Sequence, residues 1–159
     1  MNKDNYHFFW SGPFSQWAKS DFTVPSCPGI VFNTAEQYMM YSKAKLFGDK
    51  KTAEKILATK NPREQKALGR EIANFNKDLW EFHAPTIVYT GNLFKYMQNP
   101  ELLRELLMTG NKYIVEASPH DAIWGIGFDE EHTMENFDKW GTNWLGEALI
   151  RVRHELSGF

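Results

Sequence analysis

Near the end of the chain Leu145, Ala148, Leu149, Val152 and Leu156 recur at the spacing of one helical face, which predicts a helix over about 143–156. Earlier, "NTAEQYMMYSKAKLF" reads as a helix from about Thr34 to Phe47, with Gly48 in the usual C-terminal role. "DKKTAEKILATK" predicts a second helix capped by Asp49, and Asn61-Pro62 marks a break before a third. "NKDLWEF" makes a further helical segment that Pro85 is expected to end, and "TIVYTGNLFKYMQ", ambiguous between helix and strand, is read as helix. Pro100 opens "PELLRELLMTG", with Gly110 beyond its end. Alternation is rare. "KYIVEAS" is β-branched and reads as a buried strand, and the first thirty residues, rich in aromatics, Gly and Pro, read as short strands and loops. The pattern predicts an α-rich α+β fold with a few short strands drawn from both ends of the chain, organised as a single domain over 1–159.

Composition sharpens this picture at a few points. The length of 159 residues suffices for a core of its own. No stretch reaches the roughly eighteen consecutive apolar residues of a membrane helix, and the N-terminus lacks the apolar region of a secretory signal. Cys27 is the only cysteine, so no internal disulfide is expected and the cytoplasm is the expected location. Aromatic residues form 15% of the chain and include six tryptophans, large flat side chains that also stack on planar ligands. Charge is uneven: Lys43 to Arg70 holds nine basic residues against three acidic, although the whole chain carries a net charge of −2. Such a basic stretch suits an anionic partner, a phosphate or a nucleic acid, as well as a solvated helix face.

Glu36 near the start of the first helix has two readings. If Asn33 is the N-cap, Glu36 is the reciprocal partner in a capping box; if Thr34 is the cap, that partner is Gln37 and the carboxylate is available for chemistry. Lys43 stands seven residues on, rotated by only about 20° and displaced roughly 10 Å along the axis. A lysine there holds an anionic group near the carboxylate or belongs to the solvated basic face. "SPHDAIWGIGF" follows the predicted strand and brings Asp121, Trp124 and the permissive Gly125 and Gly127 into one loop. Its G-x-G pair lacks the context of a dinucleotide fingerprint. Asn143 is a natural N-cap for the last helix, whose free N–H groups attract anions. His120 and His132, near Asp129, Glu130 and Glu131, match no metal-ligand spacing, and no metal or cofactor is expected.

Together these stretches resemble the NADAR (NAD- and ADP-ribose-associated), or YbiA-like, domains. The resemblance runs from about Phe9 to Leu156 and is carried in order by "FWSGPFSQW", "FNTAEQYMMYSKA", "LGR" at 68–70, Trp80, "LLMTGNKYIVEASPHDAIWGIGF" and "WGTNWLGEALIRVR". It implies an N-glycosidase that hydrolyses a C–N bond to a ribosyl phosphate or ADP-ribose. One branch of the family acts on aminated pyrimidine ribose phosphates of riboflavin synthesis; another removes ADP-ribose from modified guanine in nucleic acid. Active-site roles fall by resemblance on Glu36, Trp80, Asp121, Trp124 and Asn143, and further on Lys43 and Arg70.

In that chemistry Glu36, assisted by Asp121, stabilises positive charge on the ribose, or Lys43 attacks the opened sugar as an amine. Trp80 and Trp124 stack on the base, while Arg70 or the N–H groups near Asn143 hold phosphate. Ser15, Trp17 and Gly125 complete the expected binding residues. Ser15, Gln16 and Trp17 stand where the family often has Ser-Asn-Phe, which alters the expected contact with one edge of the substrate. The basic stretch favours the nucleic-acid substrate over the riboflavin intermediates. A binding module without turnover would need the aromatic platform but not the carboxylates, and a purely structural subunit would need neither.

Overall fold

Local signals at the helix ends are obeyed almost everywhere in the computed structural model, which describes residues 2–158. Those residues form β1 (Tyr6–Phe9), α1 (Ala35–Leu46), α2 (Lys50–Ala58), α3 (Pro62–Gly69), α4 (Lys77–Gln98), α5 (Pro100–Met108), β2 (Tyr113–Glu116) and α6 (Trp144–Leu156), with three short 3-10 turns. Thr34, Asp49, Asn61 and Asn76 cap the first four helices, each accepting a bond from a backbone N–H of the first turn. Gly48, at φ +74°, takes the left-handed conformation that ends α1. The architecture is the helix-rich α+β expected, with a single two-stranded sheet among the described residues.

Pro85 departs from expectation. It does not end a helix; α4 runs straight through it for 22 residues and takes in the segment that was ambiguous between helix and strand. An interior proline removes one hydrogen bond and costs about 3 kcal/mol. The helix persists because Val88, Gly91, Asn92, Lys95 and Tyr96 beyond it are all buried and would lose that burial if the chain turned away.

The chain forms two compact units, one from Gln16 to Asn99 and the other from the residues up to Ser15 together with those from Pro100 onward. In the Gln16–Asn99 unit α1 packs on α2, α3 and α4. Phe22, Val24, Phe32 and Tyr38 build a core cluster there, and Phe22 and Phe32 also pair through an antiparallel backbone bridge. The first half of α1 is buried on nearly every side, from Ala35 to Met40, so hydrophobic periodicity alone marks it poorly.

In the other unit β1 and β2 run parallel, with Tyr6 opposite Tyr113 and Phe9 opposite Glu116. Parallel strands require a long connection, and here α1 to α5 all lie between them in sequence. α6 packs on β2 through the predicted face, where Leu145, Ala148, Leu149, Val152 and Leu156 are all buried.

Candidate active site

The start of α1 settles the two readings of Glu36. The Thr34 hydroxyl accepts from the Gln37 N–H at 3.0 Å, so Thr34 is the cap. Gln37 then reaches back with its amide oxygen, but to the N–H of Asn33 at 2.8 Å rather than to that of Thr34. Its amide nitrogen donates to the carbonyls of Ile56 and Thr59. Gln65, fully buried, accepts from the Thr34 hydroxyl and donates to Asn33 and Thr59. This amide network ties the tip of α1 to the end of α2 and to α3. Pattern reading missed Gln65, since a glutamine in a charged segment carries no sign of burial.

Capping is therefore complete without the Glu36 carboxylate. Glu36 is only 6% exposed, and its backbone N–H donates to the Gln16 carbonyl at 3.0 Å. Lys43, on the same helix, is half-buried. Its Nζ donates to the Gly69 carbonyl at 3.0 Å and lies 4.8 Å from the ring centre of Phe75 and 5.4 Å from that of Trp80. Burial holds the Lys43 amine below the usual lysine range; the negative charge of Glu36 opposes that and Arg70 adds to it. Glu36, Lys43, Arg70 and Trp80 thus form one electrostatically coupled group in the Gln16–Asn99 unit. Phe75 belongs with them, a residue in a short turn segment that no motif singled out. Arg70 itself is exposed at the end of α3.

Near the chain start, Trp17 is 38% exposed and lies under the guanidinium of Arg63, 5.9 Å from its ring centre. The side-chain oxygen of Gln16 accepts from Asn92 at 2.8 Å, and its nitrogen faces the Met39 sulfur. The Gln16 amide is thus spent on the protein. In the other unit, the half-buried Ser15 donates its N–H to the Gly12 carbonyl.

Asp121, Trp124, Gly125 and Asn143 all lie in that second unit, in a loop closed on itself. One Asp121 oxygen accepts from the N–H groups of Ile123 and Trp124, both at 2.9 Å, which shapes the turn that carries the Trp124 indole. Trp124 meets Trp144 edge to face at 5.4 Å. Gly125 permits a close approach, but of Glu116: a Cβ there would stand 2.7 Å from the Glu116 carbonyl.

Asn143 does not cap α6 with its side chain. It sits at φ +52°, and its amide accepts from the Glu116 N–H and donates to the Ile114 carbonyl, both at 2.9 Å, in the manner of a neighbouring strand. Gly146 makes room for this, since a Cβ there would lie 2.3 Å from the Asn143 amide nitrogen. The first N–H groups of α6 are not open to an anion either: Trp144 donates to Ile123 and Leu145 to Trp124. The expected phosphate site at this helix start is filled by the loop's own carbonyls.

Among the described residues no group of three or more His, Cys, Asp or Glu side chains is placed to hold a metal ion. His132 instead pairs with Asp129 at 2.6 Å, which raises the histidine's pKa and lowers the carboxylate's. No described helix is long and apolar enough to cross a membrane.

Comparison with known proteins agrees with this architecture. The chain is 42% identical over 169 aligned positions to a protein named N-glycosidase from Acanthamoeba polyphaga mimivirus, with 98% of each chain covered. It is 30% identical to a maize (Zea mays) riboflavin biosynthesis protein, PYRR, covering 92% of this chain and 24% of that one. The NMR structure of the Escherichia coli protein YbiA superposes with a TM-score of 0.77 at 27% identity, covering 99% of this chain and 88% of that one. The NADAR domain model matches residues 8–157, and the chain belongs to the NADAR domain family.

Proposed function

We propose that this protein is an N-glycosidase that removes ADP-ribose from ADP-ribosylated guanine in nucleic acid. The observation that carries the reading is the group on and around α1. A buried carboxylate, Glu36, shares a helix with an amine that is held against two aromatic rings and whose ionisation that carboxylate influences. When the C–N bond breaks, its electron pair leaves with the base and positive charge develops on the ribose C1 and ring oxygen. A fixed carboxylate in a dry site stabilises that charge. Water then adds to C1 and gives up a proton to Glu36 acting as base, and a proton goes to the departing nitrogen.

Trp80 offers a stacking face to the base, and Arg70 is available for phosphate. In the other unit Asp121 shapes the loop that carries Trp124, a second indole suited to stacking on a base. The mimivirus relative, named an N-glycosidase, supports the reaction class. The exposed basic residues between Lys43 and Arg70 support a polymeric anion as substrate.

A second chemical reading has an observation of its own: burial lowers the pKa of Lys43, as an amine nucleophile requires. In that route the ribose ring opens to leave C1 joined to the base nitrogen by a C=N bond, and the Lys43 amine adds to C1. The base amine departs with the proton that the lysine nitrogen gives up, leaving a lysyl imine that water later hydrolyses. Borohydride added during turnover traps such an imine as a stable adduct on the Lys43 peptide; absence of the adduct leaves the step with Glu36. A second substrate reading follows the maize relative, whose name places it in riboflavin biosynthesis. Mass spectrometry of products from an ADP-ribosylated oligonucleotide and from aminated pyrimidine ribose phosphates separates the two. Release of ADP-ribose from the oligonucleotide is expected; turnover of the pyrimidines alone assigns the riboflavin chemistry, and binding without turnover of either leaves a recognition module.

A further inference from the structure

The cations of α3 are ordered along one side of the helix. Arg63, Lys66 and Arg70 are spaced by three and four residues, which confines them to roughly a 60° sector and about 10 Å of axis. Arg70, the C-cap, keeps helical backbone angles, so the spacing holds to the end. All three are exposed, and among the described residues no carboxylate pairs with any of them. The one acid within α3, Glu64, has its carboxylate engaged by the Thr59 hydroxyl.

Both ends of this stripe are marked. At the Arg63 end the guanidinium lies over the exposed indole of Trp17. At the Arg70 end the preceding residue, Gly69, gives its carbonyl to Lys43. A single ribose phosphate needs cations only beside its own reacting sugar. A line of positive charge that leads about 10 Å away to an exposed, cation-topped indole suits a chain of phosphates with unstacked bases.

We propose that the Arg63–Lys66–Arg70 face of α3, with Trp17 at its far end, is the track along which the protein holds the single strand of nucleic acid flanking the modified base. This rests on the nucleic-acid reading given above. The cations contact successive phosphates and set the affinity, and Trp17 stacks on one unpaired base, which selects single strand over duplex.

The test uses the full chain and a fluorescently labelled, unmodified strand of about twelve nucleotides, with anisotropy followed across a salt series. Wild type is expected to bind with steep salt dependence. Arg63→Gln with Lys66→Gln weakens binding about tenfold at low salt and flattens the log–log slope by about 1.4, the value for two lost contacts on a single strand. Lys51→Gln with Lys55→Gln removes the same charge from exposed positions of α2 and changes binding by less than about twofold if the track is local.

Equal losses from the two pairs, no loss from the α3 pair, or no binding by wild type overturn the proposal. Duplex of the same sequence competes more weakly than single strand; equal competition overturns it as well. Because the probe carries no ADP-ribose, failure of the glycosidase reading shows separately, as strand binding without release from a modified strand. The α3 variant is also expected to keep its turnover of a free ADP-ribosylated guanine nucleoside, which carries no strand; a loss there equal to the loss of strand binding overturns the proposal.

Discussion

The Gln37 N–H lies 3.0 Å from the Thr34 hydroxyl, and this bond assigns the capping duty at the start of α1 to Gln37 rather than to its neighbour Glu36. On the proposed function, two adjacent residues are expected to divide between stability (Gln37) and chemistry (Glu36). Gln37→Ala leaves the half-buried Asn33 N–H and the Ile56 carbonyl without this partner and Thr59 with Gln65 alone, and is expected to cost about 2–4 kcal/mol in urea unfolding. Glu36→Gln is expected to unfold within about 1 kcal/mol of wild type. A larger loss from Glu36→Gln than from Gln37→Ala would make Glu36 the structural residue.

The Lys43 amine is predicted to titrate below the ordinary lysine range, because burial disfavours its charged form. Glu36 opposes this by stabilising the ammonium, so Glu36→Gln lowers the Lys43 pKa further. NMR of 13C-methylated lysines reads both values directly. An upward shift in the variant would mean that Glu36 does not face Lys43 as a charge.

Trp80 is expected to act on substrate binding. Trp80→Ala loses a stacking contact worth about 1–3 kcal/mol, which raises KM between about fivefold and 150-fold, while Trp80→Phe recovers part of it. A fall in kcat at unchanged KM would instead place Trp80's effect on Lys43.

Asn143 is expected to be a stability residue. Removing its amide by Asn143→Ala leaves the Glu116 N–H and Ile114 carbonyl unpaired and puts alanine at a positive φ, at a combined cost of about 3–5 kcal/mol. Thermal unfolding measures the loss. The protein that remains folded should retain its KM, since the Asn143 amide is occupied by β2; a raised KM in well-folded protein would return Asn143 to the substrate.

Lys95 predicts an unusual pH dependence of stability. It is fully buried, and burial lowers its pKa to about 7. Between that value and the unfolded lysine value near 10.4, the unfolded chain holds a proton that the native one does not, so stability rises with pH across the window. Below about pH 7 the native state is protonated too, and this contribution to the slope vanishes. Lys43 acts in the same direction. Denaturant midpoints at pH 6, 8 and 9.5 should climb for wild type and climb less for Lys95→Met; equal slopes would remove Lys95 from the account.

Features specified by a few adjacent residues were readable in the sequence, and features specified from across the fold were not. The cap at Asp49, the break at Asn61-Pro62 and the turn at Gly48 act within one helical turn, so spacing and residue type suffice. Asn33 and Thr34, by contrast, fit the first cap equally well until the Gln37 N–H is seen to meet Thr34. Pro85 misled because its local veto is outweighed by the buried face beyond it. Asn143 misled for the opposite reason: it is a good local cap, but β2 offers its amide two better bonds. Glu36, Lys43 and Trp80 were singled out by motif, and the structure brings Lys43 to Trp80 and within electrostatic reach of Glu36. Phe75 and Gln65 went unnoticed because their roles rest on neighbours from other elements, Lys43 for the ring and Thr34, Asn33 and Thr59 for the amide.

The most direct test of the central claim is single-turnover release of ADP-ribose from an oligonucleotide bearing ADP-ribosyl guanine, comparing wild type with Glu36→Gln. The account predicts release by wild type and a loss of at least about a hundredfold in the variant, with strand binding intact. Unchanged release by Glu36→Gln would contradict it and move the chemistry to another residue.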